Sequence, residues 1–429
     1  MKANLVAESL PLASGTPAAK SHHRRDTCRA CGGTSLSLFL SLGPQPLANA
    51  FLKESAPAQK CFPLDVYYCQ TCSLVQLLDV IDSETLFAEY VYVTGTSDTM
   101  RVHNQEYART VSDLTSLTQD DLVVEIGSND GSLLQCFQQR GSPILGIEPA
   151  RNIAALADAR GLRTLNRFFS SATASEIKQS YGSAKVILAN NVLAHVDNTL
   201  DFLKGCREIL HPAGLLAVEV PYVRHLIEKL EYDTIYHEHL CYFSISTLAR
   251  LFERAGLSIM RVDEVPVHGG SLRVYARSRE RHQQHAAEVV AAQKKEMAEG
   301  LTSLLRYVDF ADRVVRNRLY LRNLVHRLVH DGKTVAAYGA PAKGSTLLNY
   351  CDIGKAEIPY VVDRNAMKVG LYQPGTGIPV LPVSTLLEEQ PDYLLILAWN
   401  FEKEIVEQQK EYARRGGRFI IPIPDPRIL

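Results

Sequence analysis

The feature that most limits the fold of this 429-residue chain is an alternation of short apolar runs and helical segments. The run from Leu122 to Ile126 leads into Gly127-Ser-Asn-Asp-Gly131 and then into a helix that begins near Ser132. Further strands are predicted at 143–147, 186–189 and 215–220. This order predicts an α/β fold with a doubly wound parallel sheet, whose ligand lies at the carboxyl ends of the strands.

A second set of the same elements lies nearer the C-terminus. A strand predicted from Lys333 to Tyr338 leads into Gly339-Ala-Pro-Ala-Lys-Gly344 and a helix. Further strands are predicted at 359–362, 393–398 and 418–421. The stretch from His282 to Arg327 has many charges and few helix breakers, and it predicts a solvated helical linker between the two units. The C-terminal segment is therefore expected to be a second, smaller Rossmann-like unit.

Four cysteines near the N-terminus form two CxxC pairs, Cys28 with Cys31 and Cys69 with Cys72. This is zinc-knuckle spacing, and the two pairs together complete a tetrahedral shell. Four unrelated buried cysteines are the plain alternative, and a redox role fits less well because neither pair opens a helix after a strand. The pattern predicts a small domain in which zinc is structural, because so small a core needs the metal to fold.

The amino-acid composition limits which classes of partner the protein is expected to bind and which cellular compartment it is expected to occupy. Lys plus Arg (46) nearly cancels Asp plus Glu (47), so no net positive charge favours nucleic acid or an anionic membrane. The first residues lack the apolar core of a secretory signal, and the sequence has no run of about 18 apolar residues that would span a bilayer. An odd number of cysteines, nine, indicates free thiols. We expect a cytoplasmic protein with a disordered leader.

The loop after the first strand predicts a cofactor site. Its glycines let the backbone approach a ligand closely, and the start of the following helix offers free backbone amides. These two features alone would suit a dinucleotide as well as S-adenosylmethionine. An acidic residue within the strand end and ExGSxxG spacing favour S-adenosylmethionine. The acid that ends the second strand can accept both ribose hydroxyls, and a later strand ends in an asparagine suited to the adenine or methionine part. The candidate residues are Glu125, Gly127, Asn129, Gly131, Glu148 and Asn190.

Several longer motifs occur in order: CRACG with YYCQTCSLVQ, YVYVTGTS, EIGSNDG, NNVLAHVDN, YHEHLCYFS, VHGGSLR, and YGAPAKGSTLLNY with PGTGIPV. In these the chain resembles the C-methyltransferase family that makes branched deoxysugars in antibiotic pathways. After the leader (1–23), which its small, polar and aperiodic residues indicate, the resemblance implies three parts. They are a zinc-binding domain (24–85), a class I S-adenosylmethionine-dependent methyltransferase domain (86–285) and a C-terminal Rossmann-like domain (286–429) that helps to hold a nucleotide-sugar.

The chemistry that this family implies is proton abstraction beside a ketone, followed by attack of the enolate on the sulfonium methyl group. It further implies thymidine diphosphate as the carrier and C3, next to a 4-ketone, as the methylated carbon. Such a reaction needs a base, a group that stabilises the oxyanion, and a methyl donor in line with the carbon.

Tyr236-His-Glu-His239 carries acid and base groups at consecutive positions. In an extended segment Tyr236 and Glu238 would share one face and His237 and His239 the other, so a turn must bring them together. By carry-over from the family motif, His239 is the expected base, since an imidazole can take a proton near neutral pH. Glu238 or Tyr236 would orient it or polarise the ketone, or some of these side chains merely support the loop.

Two more residues are candidates for the reaction. His195 follows a strand end and would donate a hydrogen bond to the enolate oxygen, with a satisfied core histidine as the alternative. Tyr90 matches a tyrosine that the family places over the active site, with Tyr92 as its nearest rival. Both tyrosines would serve equally well as packing between two domains.

The substrate phosphates have three candidate ligands. His268 and Arg273 lie in a predicted hairpin that joins runs 259–265 and 271–276, where the glycines also suit a plain tight turn. Lys343 lies at a strand-to-helix turn, where amides and an ammonium group can bind a diphosphate. The loop lacks the Walker spacing, so binding without phosphoryl transfer is expected.

Three other functions remain open on the residues alone. They are a methyltransferase for another acceptor, an NAD-dependent sugar oxidoreductase, which the absence of GxGxxG disfavours, and a non-catalytic nucleotide-binding zinc protein. The expected partner is a small nucleotide-sugar, without nucleic acid or membrane. We expect a monomer, because the sequence shows no exposed coiled-coil seam.

Overall fold

The computed structural model describes residues 22–54, 59–88, 90, 95, 98–267 and 269–429. Within these residues the strands form sheets of two, four, six and seven strands. The four-stranded sheet is N-terminal, the seven-stranded sheet is central and the six-stranded sheet is C-terminal. In the same residues, no helix is both long and apolar enough to cross a membrane.

The N-terminal part is a small antiparallel β structure. Its elements are β1 (His22–Arg24), β2 (Leu36–Pro46), β3 (Cys61–Cys69), β4 (Val75–Leu77), β5 (Asp79–Ile81) and α1 (Ser83–Phe87). Strands β2, β3 and β4 pair in sequence order, and β1 pairs with β5. The leader was predicted to extend to residue 23, but β1 begins at His22, which pairs with Ile81. The predicted boundary of the leader therefore lies too far along the chain.

The four predicted zinc ligands meet at one end of this sheet. The sulfurs of Cys28, Cys31, Cys69 and Cys72 all lie within 4.8 Å of one another. The Cys28 and Cys72 sulfurs are 3.5 Å apart and those of Cys31 and Cys69 are 3.6 Å apart. A tetrahedral zinc ion with bonds of about 2.3 Å needs sulfurs roughly 3.8 Å apart. The cluster fits zinc, and the Gly33 amide donates to the Cys31 sulfur.

The central part contains the predicted parallel sheet. Its elements are α2 (Asp98–Thr115), β6 (Val123–Ile126), α3 (Ser132–Gln138), β7 (Ile144–Ile147), α4 (Arg151–Ala159), β8 (Thr164–Leu165), α5 (Ser171–Tyr181), β9 (Ala184–Asn190), α6 (Thr199–Ile209), β10 (Leu210–Pro221), α7 (Val223–Glu228), β11 (Cys241–Tyr242), α8 (Ile245–Arg254), β12 (Leu257–Val265) and β13 (Ser271–Ser278). Six of the seven strands are parallel, in the order β12-β13-β10-β9-β6-β7-β8, and β13 is antiparallel to both its neighbours.

This sheet confirms the predicted α/β fold. Strand β6 is buried along its whole length, as a parallel strand covered by helices on both faces should be. The predicted terminal hairpin is present as β12 and β13. Because parallel strands end at one edge, the loops after β6, β7, β9 and β10 converge there.

The C-terminal part forms the second α/β unit. Its elements are α9 (Ala287–Ala298), α10 (Leu304–His330), β14 (Val335–Tyr338), α11 (Ala342–Cys351), β15 (Val361–Asp363), β16 (Val380–Pro382), α12 (Thr385–Glu389), β17 (Tyr393–Ile396), α13 (Glu402–Gln408), α14 (Lys410–Arg414), β18 (Arg418–Ile421) and β19 (Arg427–Ile428). The sheet order is β16-β15-β14-β17-β18-β19, with β19 antiparallel. The predicted Rossmann-like unit is confirmed.

The linker before this unit is two helices, where the sequence predicted one helical stretch. Helix α9 ends because Gly300 adopts a left-handed conformation with φ of 79°. The Leu301 amide then donates to the Glu296 carbonyl and the Gly300 amide to the Met297 carbonyl. These two bonds form a Schellman motif, which satisfies the last carbonyls and turns the chain away from the helix axis.

The central part also supplies a strand to the zinc-binding sheet. Strand β11 pairs antiparallel with β4, which places it at the edge of the four-stranded sheet. The Leu77 amide donates to the Leu240 carbonyl at 3.0 Å, directly after His239 in the chain. The metal cluster and the predicted catalytic segment therefore share one sheet.

This sharing predicts that zinc loss affects both stability and activity. Cys69→Ser, or removal of zinc with a chelator, should lower the melting temperature and abolish turnover together, because the turn before β11 loses its support. Differential scanning fluorimetry and an activity assay measure the two effects. Cys61→Ser, at an exposed cysteine outside the cluster, is the matched control and should change neither. A zinc-free protein with full activity would contradict the prediction.

Candidate active site

One cavity of about 820 Å³ lies where the three parts of the chain meet. Its lining includes the loops after the parallel strands of the central sheet, the turn around Tyr236 and His239, and the strand-to-helix turn at Lys343. The N-terminal part contributes Asn49. Residues far apart in the sequence therefore face one space.

The end of the cavity at the central sheet is acidic. Glu148 ends β7 and accepts hydrogen bonds from the Asn129 and Ala150 amides, both at 2.9 Å. Burial raises the pKa of its carboxyl group. Each carboxylate oxygen has a second lone pair, so Glu148 can still accept a ligand hydroxyl. The predicted ribose-binding residue is thus held by backbone amides at the cavity wall.

Glu125 lies deeper at the end of β6. Its Oε2 atom is buried without a hydrogen-bond partner among the described residues. Burial, and next the nearby carboxyl groups of Asp130 and Glu148, raise its pKa well above the usual value. Such crowding of acids favours a positively charged ligand, because a cation relieves the repulsion. S-adenosylmethionine carries both a sulfonium and an ammonium group, so this end fits it.

Asn190 is oriented by a neighbour from helix α2. The Tyr107 hydroxyl donates to Asn190 Oδ1 at 3.1 Å, and the asparagine side chain also interacts with the Glu125 carboxyl group. Tyr107 is only 1% exposed and does not belong to the described cavity lining. It therefore fixes the direction of the Asn190 amide from behind.

The two predicted loop glycines are required by space and by conformation. Gly127 has φ of 66° and Gly131 has φ of 74°. A Cβ atom on Gly127 would lie 2.3 Å from a methyl carbon of Val192, and one on Gly131 would lie 2.4 Å from a methyl carbon of Leu162. Side chains at either position would push the loop out of place.

Arg273 does not reach the cavity, so its predicted contact with a substrate phosphate is wrong. It lies on β13 directly opposite Glu219 of β10, and its guanidinium Nη2 donates to that carboxylate at 2.8 Å. The guanidinium carbon lies 3.5 Å from the centre of the Tyr107 ring. Strand β13 is interior to the sheet, so its register gives the arginine a buried acidic partner. His268 and Tyr92 lie outside the described residues.

The predicted turn in the YHEH motif is present and brings two rings together. The His239 amide donates to the Tyr236 carbonyl at 2.8 Å, and the two ring centres are 4.0 Å apart. His239 Nδ1 lies 2.7 Å from the Thr234 carbonyl oxygen. A carbonyl only accepts, so Nδ1 carries the hydrogen and Nε2 is the basic atom of the neutral ring. Both side chains line the cavity.

His195 faces the same turn from the loop after β9. Its ring lies edge-on to His239, with the ring centres 4.9 Å apart. Burial, and then the neighbouring His239 imidazole, lower the pKa of His195 well below the usual value. His195 is therefore neutral near pH 7, and a hydrogen bond with the Glu238 backbone opposes the shift. It lines the cavity, and no described residue hydrogen-bonds to its Nδ1 atom.

The other two residues of the motif face away from the cavity. His237 is 1% exposed, with its Nε2 atom 3.2 Å from the Pro63 carbonyl oxygen of β3. Glu238 accepts hydrogen bonds from the Asn49 side chain at 2.7 Å and from the Tyr90 hydroxyl at 3.0 Å. Burial raises the pKa of Glu238 to about 7. The described contacts of Glu238 thus support Tyr90, which lines the cavity.

The C-terminal unit contributes two lysines to the cavity lining. Lys343 Nζ donates to Asn400 Oδ1 and lies 4.0 Å from the centre of the Trp399 ring. Lys368 Nζ donates to the Ala340 carbonyl at 2.7 Å. Burial lowers the pKa of both amines, and nearby carboxyl groups oppose that shift. The two lysines bring positive charge to the cavity, with the Asp233 and Glu231 carboxyl groups close to Lys343.

Four residues at or behind this site were not predicted from the sequence: Asn49, Tyr107, Lys368 and Trp399. Trp399 had the clearest signal, because it follows a predicted strand and is the only tryptophan in the chain. The other three lie in segments without a recognisable motif. Their positions follow from how distant segments pack together.

Three family models match successive segments of the chain. They describe a zinc binding domain over residues 28–87, a methyltransferase domain over 100–262 and a C-methyltransferase C-terminal domain over 266–424. The chain is also 39% identical to the C-methyltransferase NovU of Streptomyces niveus over 406 residues, which are 94% of this chain and 97% of the relative. The chain belongs to the C-methyltransferase family.

Solved methyltransferases resemble part of this C-methyltransferase. Magnesium protoporphyrin IX methyltransferase from Synechocystis, with bound S-adenosylmethionine, is 15% identical and covers 44% of this chain and 88% of its own, with a TM-score of 0.33. An S-adenosylmethionine-dependent methyltransferase from Clostridium acetobutylicum is 10% identical and covers 43% of this chain and 93% of its own, with a TM-score of 0.35.

The enzyme is an S-adenosylmethionine-dependent C-methyltransferase with a class I methyltransferase fold and a zinc-binding domain. Its four clustered cysteines are placed so that they could hold the zinc ion. The assignments of Glu125, Glu148 and Asn190 to the cofactor, and of His239 to the base, stay predictions that the geometry accommodates.

The acidic end predicts a pH dependence of cofactor binding. The pKa values of Glu125 and Glu148 are raised in the ligand-free protein, and a cationic ligand lowers them, so binding releases protons. The dissociation constant of S-adenosylmethionine should therefore fall as the pH rises from the usual pKa of a glutamate, about 4.3, towards the raised pKa values of these two carboxyl groups. Isothermal titration calorimetry measures it. Glu148→Gln should flatten the dependence, and a pH-independent constant in the unmodified enzyme would contradict the prediction.

Proposed function

We propose that the enzyme methylates a nucleotide-linked 4-keto-deoxysugar at the carbon beside the ketone, with thymidine diphosphate as the carrier and C3 as the methylated carbon. The observation that carries this proposal is the arrangement of charge in the cavity. Acidic residues of the central sheet, two lysines of the C-terminal unit and the His239 imidazole all line this one cavity. A cationic methyl donor would be held by the acidic residues and an anionic sugar nucleotide by the lysines, with the base in the same space.

The lysine end suits a diphosphate. Lys343 lies in the first turn of α11, and Lys368 donates to the Ala340 carbonyl just before that helix. The start of a helix offers unpaired backbone amides, which favour negative charge as the ammonium groups do. Lys343 also has Glu231 and Asp233 nearby, and these carboxyl groups favour its charged form.

The base in this mechanism is His239. Its Nε2 atom takes the proton from the carbon beside the ketone, while the Thr234 carbonyl holds the hydrogen on Nδ1 and fixes the ring direction. The electron pair of the broken C–H bond moves to the ketone oxygen, which becomes an enolate. S-adenosylmethionine supplies an electrophilic methyl group when bound.

The enolate oxygen needs a hydrogen-bond donor. His195 is the predicted donor, because its ring lies beside His239 at the cavity wall, and its single ring hydrogen would turn from the Glu238 backbone to the enolate oxygen. The Tyr236 hydroxyl also lines the cavity as an alternative donor, whereas the one O–H of Tyr90 is donated to Glu238. A donor placed before the reaction lowers the barrier without the reorganisation that water requires.

Glu238 acts through Tyr90 in this scheme. It accepts from the Tyr90 hydroxyl and from Asn49 of the zinc-binding domain, so it holds both side chains in place. This role differs from the direct contact with His239 or the ketone that the motif suggested. Removing the carboxylate would release the tyrosine while leaving the His239 hydrogen bond to Thr234 intact.

The substrate and the base can be tested in one experiment. The enzyme is incubated with S-adenosylmethionine and a panel of thymidine-diphosphate 4-keto-deoxysugars in deuterated water, and the product masses are read. We expect one methyl group on one sugar, with loss of both methylation and deuterium exchange beside the ketone in His239→Gln. His330→Gln, at a side chain 88% exposed, is the control and should keep full activity. Unchanged masses across the panel would refute the sugar assignment.

Nucleotide binding has a spectroscopic reporter, because Trp399 is the only tryptophan and lies under Lys343. Thymidine diphosphate should change its fluorescence by displacing the ammonium group from the ring. Lys343→Met should weaken nucleotide binding about 10-fold, since one charge-assisted contact is lost. Lys355→Met, at an exposed lysine, serves as the control. Equal binding by both variants would exclude Lys343 as a phosphate ligand.

A further inference from the structure

The segment that precedes the base is anchored by the C-terminal unit. Residues 231–239, here called the catalytic loop, run from Glu231 through a short helical turn at Tyr232–Thr234 to His239. The Trp399 indole N–H donates to the carboxylate of Asp233 at 2.6 Å. Asp233 is 0% exposed, so this bond is shielded from water.

The anchored residue is next to the one that orients the base. Thr234 follows Asp233 in the chain, and its carbonyl accepts from His239 Nδ1 at 2.7 Å. A shift of Asp233 would therefore move that carbonyl and turn the imidazole. The indole therefore contacts the residue directly before Thr234, whose carbonyl oxygen keeps the ring hydrogen of His239 on Nδ1.

A second bond holds the same turn to the same unit. The Tyr232 hydroxyl donates to Asn317 Oδ1 at 2.8 Å, and Asn317 Nδ2 donates to the carbonyls of Pro422 and Pro424 at 2.9 and 2.7 Å. The two anchors restrain neighbouring residues of the turn from different elements. The C-terminal unit thus fixes both the position and the rotation of the catalytic loop.

Trp399 also contacts the proposed nucleotide-binding end. The Lys343 ammonium group lies over the indole face, while the indole edge donates to Asp233. We propose that Trp399 is a positioning residue for His239, and that its hydrogen bond to Asp233 couples the nucleotide-binding end of the cavity to the placement of the base. This inference rests on the proposed function for its substrate, but the contact itself is present without ligand.

Trp399 offers an N–H donor to Asp233 and an aromatic face to Lys343, and a substitution can remove the donor while keeping the face. Trp399→Phe keeps an aromatic face under Lys343 and removes only the N–H donor. We expect kcat to fall on the order of 10-fold, because a small displacement of a catalytic group is costly. KM for the nucleotide-sugar should stay within about twofold, since its binding groups remain. Tyr412→Phe, which removes a buried hydrogen bond within the same unit, is the control and should keep kcat.

Variants of the acceptor test the same bond from its other side. Asp233→Asn still accepts from the indole and should keep most of the activity, whereas Asp233→Ala should match Trp399→Phe. If the two residues act through one bond, the double variant Trp399→Phe with Asp233→Ala should be no worse than either single variant. Losses that multiply in the double variant, or an unchanged kcat in a folded Trp399→Phe, would overturn the proposal.

The tautomer of His239 can be measured independently of which sugar the enzyme methylates. NMR of isotopically labelled histidine in the ligand-free enzyme should show the Nδ1–H form of His239, assigned by the loss of its signal in His239→Gln. Trp399→Phe should shift that signal towards a mixture of tautomers. If no nucleotide-sugar is methylated but the shift occurs, the proposed substrate fails and the positioning role stands. An unchanged tautomer in Trp399→Phe would overturn the positioning role.

Discussion

The pairing of β4 with β11 is the interaction on which the active site depends. Val75 pairs with Tyr242 and Gln76 with Cys241, so the backbone after the YHEH turn becomes part of the zinc-binding sheet. The Leu240 amide donates to the Ala194 carbonyl, next to His195. Backbone hydrogen bonds thus join the zinc-binding sheet to the segments that carry both histidines. Because backbone atoms move less than side chains, this arrangement fixes the spacing of the two rings more firmly than side-chain contacts alone would.

Charged groups in the core are arranged in two different ways. Arg273 and Glu219 form a buried ion pair between β13 and β10, and breaking such a pair typically costs about 3–5 kcal/mol. Glu125, Asp130 and Glu148 lie close together instead, and only Asp130 has a described arginine partner, Arg160, at 2.8 Å. Glu219 lines the cavity as Glu125 and Glu148 do, but its charge is already offset by Arg273. A bound cation can therefore offset the repulsion of the two acids that have no described arginine partner.

The sequence predicted what depends on neighbours in the chain. Cys28, Cys31, Gly127, Gly131 and Glu148 belong to short motifs whose geometry follows from their own spacing, and the structure brings each cluster together as expected. Arg273 was misassigned because its partner depends on the register of β13 against β10, which no local pattern records. Lys368 and Asn49 were missed for the same reason, whereas Trp399 had a local signal as the only tryptophan in the chain, directly after a predicted strand. The helix break at Gly300 did have a local signal, because glycine readily adopts a positive φ at the end of a helix. An isolated glycine is also tolerated inside helices, so this signal did not distinguish one helix from two.

The edge position of β4 has a consequence for the newborn chain. Its partner strand begins at Cys241, more than 160 residues further along, counted from Leu77. During synthesis the zinc-binding sheet therefore has one open edge until most of the central part has been made. Open edges of this kind attract strands from other chains and promote aggregation. The fraction of newly made enzyme that folds would then depend on the rate of translation through this stretch. It would also depend on chaperones that cover the open edge before β11 is made.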